Sequence, residues 1–408
     1  GNRYVVRSVS GNCAVHASFK KGSYLTVTGD SIKGLLFSWG ETPGATHYRI
    51  FERAGEAEDF SQIADDILAG VGELHHKIAV HLMKDAQYQL HVCTDERCSI
   101  SNTVQVTNQV LVDSIGYFKA SNTGGLDRFG QVLKMSRDGS TFAVAAVGES
   151  SAAQGVDGDQ FDDSADGAGA VYVFSNKNGN WAQQAYIKAS NAEAGDYFGS
   201  AIDLSADGSI LVVGAYAEAS SATQINGDED DNSAPQAGAV YVFTRDELTW
   251  KQQAYIKPQK SPRPGYILEF GRSLALDADG DTLAVGSLYS EVDQEGPVHI
   301  FRRSGNEWTF EQFVRPALGE DYDNVGASLA LSADGLTLAF GAPYERSAAT
   351  GVNGDEADNS LSAAGAAYIF NYLDGSWVQK AYIKSSNPEE NDFFGNRITL
   401  SDDGKMFA

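Results

Sequence analysis

Short apolar runs separated by polar turns dominate this chain, and almost nowhere do apolar positions recur with a helical period. The pattern is clearest between residues 198 and 257. There Phe198-Gly-Ser-Ala-Ile-Asp-Leu204, Ile210-Leu-Val-Val-Gly-Ala215, Ala239-Val-Tyr-Val-Phe243 and Trp250 to Lys257 each predict one strand. The turn joining the first two runs recurs as Ser136-Arg-Asp-Gly139, Ser205-Ala-Asp-Gly208, Asp277-Ala-Asp-Gly280, Ser332-Ala-Asp-Gly335 and Ser401-Asp-Asp-Gly404. Asp-Gly at that point supplies the positive φ of a tight hairpin. The third run recurs as well: Gly169-Ala-Val-Tyr-Val-Phe174, Gly238-Ala-Val-Tyr-Val-Phe243, Gly296-Pro-Val-His-Ile-Phe301 and Gly365-Ala-Ala-Tyr-Ile-Phe370 follow one another at 69, 58 and 69 residues. A four-stranded unit repeated at that period predicts the blades of a β-propeller, in which each unit buries its apolar face against its neighbours.

Residues 22–113 alternate differently. Leu35-Leu-Phe-Ser-Trp39, His47-Tyr-Arg-Ile-Phe51 and Lys77-Ile-Ala-Val-His-Leu82 predict the strands of a small sandwich. Trp39, the turn at Pro43-Gly44, and Tyr88 heading Tyr88-Gln-Leu-His-Val92 in the place of a tyrosine-corner residue together resemble a fibronectin type III domain. Residues 1–21 read as a linker or the stub of an upstream domain, and 114–408 as the repeat array.

Charge narrows the partners. The net charge is −25, of which only −3 falls in residues 1–113, leaving −22 on the repeats. Such a surface repels phosphates and anionic lipid, so nucleic acid is not an expected partner, and no apolar run is long enough to span a bilayer. Cys93 and Cys98 bracket a polar hairpin tip; a disulfide there fits an oxidising compartment, and two free thiols are the alternative. Cys13 is left over.

The units carry Phe-Gly at their heads (Phe129-Gly130, Phe198-Gly199, Phe270-Gly271, Phe394-Gly395) and, in one, Gly341-Ala-Pro343 at the end of the second strand. These are the two halves of the FG-GAP repeat, so the array resembles the integrin α-subunit propeller. The runs Val-Asn-Gly-Asp-x-x-Asp-Asn-Ser, Gly-Ala-Val-Tyr-Val-Phe and Ala-Tyr-Ile-Lys-Ala-Ser-Asn resemble bacterial integrin-α-like repeat proteins of the cell exterior. Integrin-type propellers have seven blades, whereas four and the start of a fifth are visible before Met406-Phe-Ala408. A truncated chain is expected on that comparison, because an unclosed propeller leaves a naked sheet edge. The tryptophans Trp181, Trp250, Trp308 and Trp377 recur beside the fourth strand, where interblade packing is expected in preference to a carbohydrate platform.

Three units carry a nine-residue acidic loop between their second and third strands. Its oxygen-bearing side chains are Asp157, Asp159, Asp162 and Asp163 in the first; Asn226, Asp228, Asp231 and Asn232 in the second; Asn353, Asp355, Asp358 and Asn359 in the third. Several oxygens from one bent loop suit Ca2+. The alternative is a loop whose Asp and Asn side chains bond their own backbone in Asx turns. Integrin propellers hold calcium elsewhere, in an Asp-x-Asp-x-Asp-Gly loop that only Asp277-Ala-Asp-Gly-Asp281 approaches, so that site does not carry over. A further acidic recurrence precedes Phe-Gly at Asp127, Asp196 and Asp392, with Glu193 and Glu389 nearby; these read as further ligands or as solvated turn residues, and the latter is expected.

Six of the seven histidines precede the repeats, and no nucleophile elbow, metalloprotease helix or phosphate loop occurs. The expectation is therefore a non-enzymatic, secreted or surface-exposed adhesion module with a protein or glycan ligand, steadied by calcium. A propeller enzyme acting on extracellular polysaccharide and a structural subunit of a surface assembly are the alternatives.

Overall fold

The computed structural model describes residues 24–31, 34–53, 59–78, 86–107, 110, 118–177, 180–259, 267–287, 297–318 and 323–408. Residues 1–21, with Cys13, and the segment around Leu82 lie outside them. The chain divides into two compact units, Gly1–Phe118 and Lys119–Ala408.

In the first unit, burial alternates along the central strands, as in His47–Arg53 and Gln87–Cys93, and two antiparallel sheets form. The strands are β1 (Thr26–Ser31), β2 (Gly34–Ser38), β3 (His47–Arg53), β4 (Ser61–Gln62), β5 (Ile67–Leu68), β6 (Glu73–Lys77), β7 (Gln87–Cys93) and β8 (Cys98–Gln105). One sheet has the order β1-β2-β6, the other β4-β3-β7-β8 with β5 also on β3. Leu35 and Phe37 from the first sheet meet Tyr48, Ile50, Tyr88 and Leu90 from the second in one core, the period-2 pattern expected of a sandwich. Cys93 and Cys98 are joined by a disulfide across the β7–β8 turn. Tyr88 departs from the tyrosine-corner expectation: it lies opposite Glu52 in the β3–β7 register, and its hydroxyl donates to the Glu52 carboxylate at 2.7 Å.

The second unit repeats one sheet four times among the described residues. The strands are β9 (Phe129–Met135), β10 (Thr141–Ala146), β11 (Ala170–Lys177) and β12 (Asn180–Ile187); β13 (Ala201–Leu204), β14 (Ile210–Ala215), β15 (Ala239–Asp246) and β16 (Thr249–Ile256); β17 (Ser273–Leu276), β18 (Thr282–Gly286), β19 (Val298–Ser304) and β20 (Glu307–Val314); and β21 (Leu329–Leu331), β22 (Thr337–Ala342), β23 (Ala366–Leu373) and β24 (Ser376–Ile383). Each sheet runs first strand to fourth as an antiparallel meander. The two middle strands are buried on both faces, as in Ile210–Ala215, which is why they read as continuous apolar runs rather than as alternation.

The first strands of successive sheets, β9, β13, β17 and β21, pack side by side. Together with residues 398–402 they surround a polar cavity of about 420 Å3, in which Lys134 pairs with Asp203 at 2.8 Å. The Asp-Gly turns link sheet to sheet. Asp138 N–H donates to the Ala206 carbonyl, Ala206 to Ala278, Ala278 to Ala333 and Ala333 to Asp402, at 2.8 to 3.1 Å. Arg137, in the first of these turns, pairs with Asp402 in the last at 2.6 Å.

Inside four of the five turns the Ser hydroxyl donates to the Asp carboxylate, as in Ser205 to Asp207 at 2.7 Å, and accepts the Ile210 N–H at 3.0 Å. The Ser-x-Asp-Gly motif is thus a self-satisfied hairpin cap. Phe198 departs from the expected first strand. Tyr197 and Gly199 flank it at φ 56° and 93°, and this curl drops the ring, fully buried, edge-on against Tyr241 and Phe243 before β13 begins. Trp250 and Trp308 are buried and join sheets, their indole N–H groups donating to Gln184 and Gln253 of the preceding sheet at 3.0 Å.

Candidate functional site

The three acidic loops are built alike, and most of their oxygens serve the loop itself. The second loop residue turns the chain: Asp157, Asn226 and Asn353 are left-handed (φ 55° to 57°), a conformation Asp and Asn tolerate best among side chains. Each also clips the loop to the fourth strand of its sheet. Its N–H donates to the carbonyl of Tyr186, Tyr255 or Tyr382 at 2.7 Å, and its side-chain oxygen accepts the N–H of the same tyrosine at 2.9 to 3.0 Å. At the fourth position, Asp159, Asp228 and Asp355 accept the N–H two residues on, forming Asx turns. Their carbonyls accept from the hydroxyls of Ser151, Ser220 and Ser347 at 2.6 to 2.7 Å.

The seventh position clamps the loop base. Asp162, Asp231 and Asp358 accept the N–H of Ala152, Ser221 and Ala348 at 2.6 to 2.7 Å, and each also accepts from the Ser two residues on. The Ser221 hydroxyl and N–H are the chief causes that hold the Asp231 carboxyl at about 2. These donors stabilise the negative charge without a cation. At the eighth position Asn232 donates to both Glu193 oxygens at 2.8 and 3.0 Å, while Asp163 is exposed.

The carboxylates of the first loop do not fit one calcium ion as they stand. A calcium cage needs six to eight oxygens converging on a point. Yet in the first loop, whose four candidates are all carboxylates, no three approach within 4.8 Å; among the described residues only His47, Cys93 and Cys98 of the other unit form such a group, and those cysteines are disulfide-bonded. The Asx-turn alternative describes the loops as they stand. Asp162→Ala should lower the melting temperature of the second unit by about 2 °C, whereas Asp163→Ala should leave it unchanged. Equal effects in a thermal melt would indicate a shared ligand.

Beneath each loop lies an anchor that the sequence motifs contain but did not reveal. Glu149, Glu218 and Glu345 are buried, and each pairs with a buried lysine: Lys188 at 2.8 Å, Lys257 at 2.5 Å and Lys384 at 2.5 Å. The other carboxylate oxygen accepts the hydroxyl of Tyr186, Tyr255 or Tyr382 at 2.7 to 2.9 Å. Burial and the adjacent carboxylate raise the Tyr186 and Tyr255 phenols above their usual range, and burial pulls the Lys188 and Lys257 ammonium groups down. The asparagine three residues after Lys188 reaches the next repeat. Asn191 donates to the Glu229 carbonyl at 2.7 Å and to Glu218 at 3.3 Å, and accepts from the Tyr241 hydroxyl at 2.6 Å. Ala-Tyr-Ile-Lys-Ala-Ser-Asn therefore closes its own sheet with Tyr and Lys and the following loop with Asn.

The residues before Phe-Gly are turn clamps: Asp127, Asp196 and Asp392 each accept the N–H three residues earlier. Asp196, however, is buried rather than solvated. Its carboxyl is raised to about 7, first by burial and then by the Glu218 and Glu193 charges, against the lowering effects of the Glu193 N–H bond and Lys257. A carboxyl raised in the folded state binds its proton more tightly there than in the unfolded chain, so its contribution to stability falls as pH rises from about 4 to 7. Asp196→Asn should remove that fall, by no more than about 4 kcal/mol, leaving stability at pH 3 nearly unchanged and raising it at pH 8. Denaturant titrations at the two pH values check this.

His299, the one histidine of the repeats, is caged by Phe270 and Phe313, with ring centroids at 5.0 and 4.9 Å, and burial lowers it to about 3. It is neutral, and its Nδ1 has no hydrogen-bond partner among the described residues.

A search of the curated proteins finds no match. The solved structure of chicken CNTN1 FN1-FN3 domains aligns over 90% of this chain and 98% of its own, at 9% identity and a TM-score of 0.16, which is too low to support a structural argument. A family model does match locally: residues 181–243, running from β12 through the second acidic loop to β15, are an FG-GAP repeat.

Proposed function

We propose that this chain is an extracellular adhesion or interaction module, in which a fibronectin type III-like sandwich precedes an FG-GAP propeller. The observation that carries the proposal is the threefold acidic loop held rigid on a buried Glu–Lys–Tyr anchor. Three preorganised loops on one repeated scaffold make a docking surface that loses little entropy on binding. The FG-GAP repeat at 181–243 supports an integrin-like interaction role. The side-by-side first strands and the Arg137–Asp402 pair, which joins residues 265 apart in sequence, support a propeller arrangement. The disulfide suits an oxidising exterior, and no helix among the described residues is long and apolar enough to cross a membrane. Calcium has no part in this proposal, because no three carboxylates of the first loop approach one another within 4.8 Å.

Binding rather than catalysis is favoured because the three loop-anchor glutamates, Glu149, Glu218 and Glu345, are each committed to a lysine and a tyrosine. Retention of the chain on immobilised extracellular polysaccharides and glycoproteins, with no turnover of either, is the expected result. Turnover of a polysaccharide or ester, abolished by one carboxylate substitution, would overturn the proposal in favour of an enzyme.

A further inference from the structure

The residue before each Phe-Gly or Val-Gly pair has a left-handed backbone: Arg128 (φ 57°), Tyr197 (56°), Glu269 (48°), Asn324 (55°) and Phe393 (53°). Left-handed geometry at a side-chain-bearing residue is strained, and its recurrence in five successive repeats means that the fold enforces it. Four of these residues, Arg128, Tyr197, Glu269 and Asn324, line a single cavity of about 400 Å3. One backbone turn thus delivers a different side chain, repeat by repeat, to the same place. A fixed scaffold with varied chemistry is the arrangement of a recognition site.

The charge of this cavity opposes that of the chain. Against a net charge of −25, its lining holds Arg128, Arg272 and Arg397, with Glu269 the sole acidic residue among the described lining. Glu269 is paired with Arg272. Arg128 and Arg397 have no carboxylate partner among the described residues, so two guanidiniums face the cavity uncompensated. Beside them Tyr197 and Tyr216 stack face to face, with centroids 5.4 Å apart and planes 15° apart. Gln131 and Asn324 add amide donors and acceptors.

We propose that this cavity binds a carboxylated sugar, a uronate unit of an acidic glycan. Guanidinium forks match a carboxylate in bidentate geometry, the tyrosine pair offers a flat face to the sugar ring, and the amides suit its hydroxyls. A peptide carboxylate would use the guanidiniums but leave the stacked face without a partner. The inference rests on the interaction-module reading and names the ligand class of one site within it.

Isothermal titration calorimetry of the whole chain with trigalacturonate, with maltotriose as a neutral sugar of equal length and with a glutamate-rich hexapeptide, tests this. Trigalacturonate should bind, weaken as salt is raised, and lose about tenfold in affinity in the Arg128→Gln/Arg397→Gln variant, while maltotriose and the peptide should bind at least tenfold more weakly. Both arginines lie outside the packed interior, so the variant should melt as the parent does; the salt dependence of the parent chain supplies a test independent of any variant. No uptake of trigalacturonate, equal binding of maltotriose, preference for the peptide, or an unaffected double variant would each overturn the assignment. Retention on glycoprotein surfaces that persists without uronate binding would sink this site while leaving the module reading intact.

Discussion

Replacing Lys257 by Met should destabilise the second unit by about 3 to 5 kcal/mol, one of the two largest effects expected of any single substitution here. The cause is the group left behind. Glu218 is fully enclosed, and Lys257 is the only cation at hydrogen-bond distance among the described residues, at 2.5 Å. The Tyr255 hydroxyl, the Ser220 N–H and Asn191 would still donate to the carboxylate, but dipoles alone compensate a buried charge poorly. Adding Glu218→Gln should therefore recover part of the loss, since a neutral amide still accepts from Tyr255 and no unpaired charge remains. Urea titrations of the single and double variants decide the matter. A Lys257→Met variant within 1 kcal/mol of the parent would show that the pair does not anchor the loop.

Gly238→Ala should be comparably severe, for a steric reason. Gly238 sits at φ 82° where its sheet meets the next repeat through a parallel bridge to Phe270. A Cβ there would lie 2.1 Å from the Phe270 carbonyl oxygen and 2.5 Å from its nitrogen, both backbone atoms that no rotamer change can move. Left-handed strain and displacement of the joint together should cost on the order of 2 to 5 kcal/mol. Gly305→Ala, at φ 62° with nothing within 4 Å of the added methyl, supplies the control and should cost about 1 kcal/mol. Similar losses in chemical denaturation would mean that the joint is not close-packed.

How far the sequence foretold these features depends on how local their causes are. The second repeat shows this well. Its four strands were legible because apolar runs and Asp-Gly turns are local signals, and β13 to β16 fall where those runs lie. The hairpin caps were legible for the same reason. The acidic loops were legible as a recurrence but ambiguous in meaning, because oxygen spacing alone does not say whether an Asp faces a cation or an N–H; the closure of Asp157, Asn226 and Asn353 onto Tyr186, Tyr255 and Tyr382 is a long-range contact that spacing does not contain. The Glu–Lys–Tyr anchor was invisible because its members lie 37 and 39 residues apart. A signal existed: the short third repeat, which lacks the loop, has Phe313 and Arg315 where the others have tyrosine and lysine. Loop, tyrosine and lysine thus come and go together. Asp196, read as solvated, is buried, close to Glu218 and Lys257, which lie 22 and 61 residues further on, a closure that local turn chemistry does not show.

Native-state hydrogen exchange at the loop-to-strand clips tests most directly the central claim that the loop face is rigid in itself. The amides of Tyr186, Tyr255 and Tyr382, each held by the second loop residue, should exchange as slowly as those of the middle strands, equally in excess chelator and in calcium. Fast exchange in chelator that slows only when calcium is added would contradict the account, and would make the loops a metal-ordered surface instead of a preformed one.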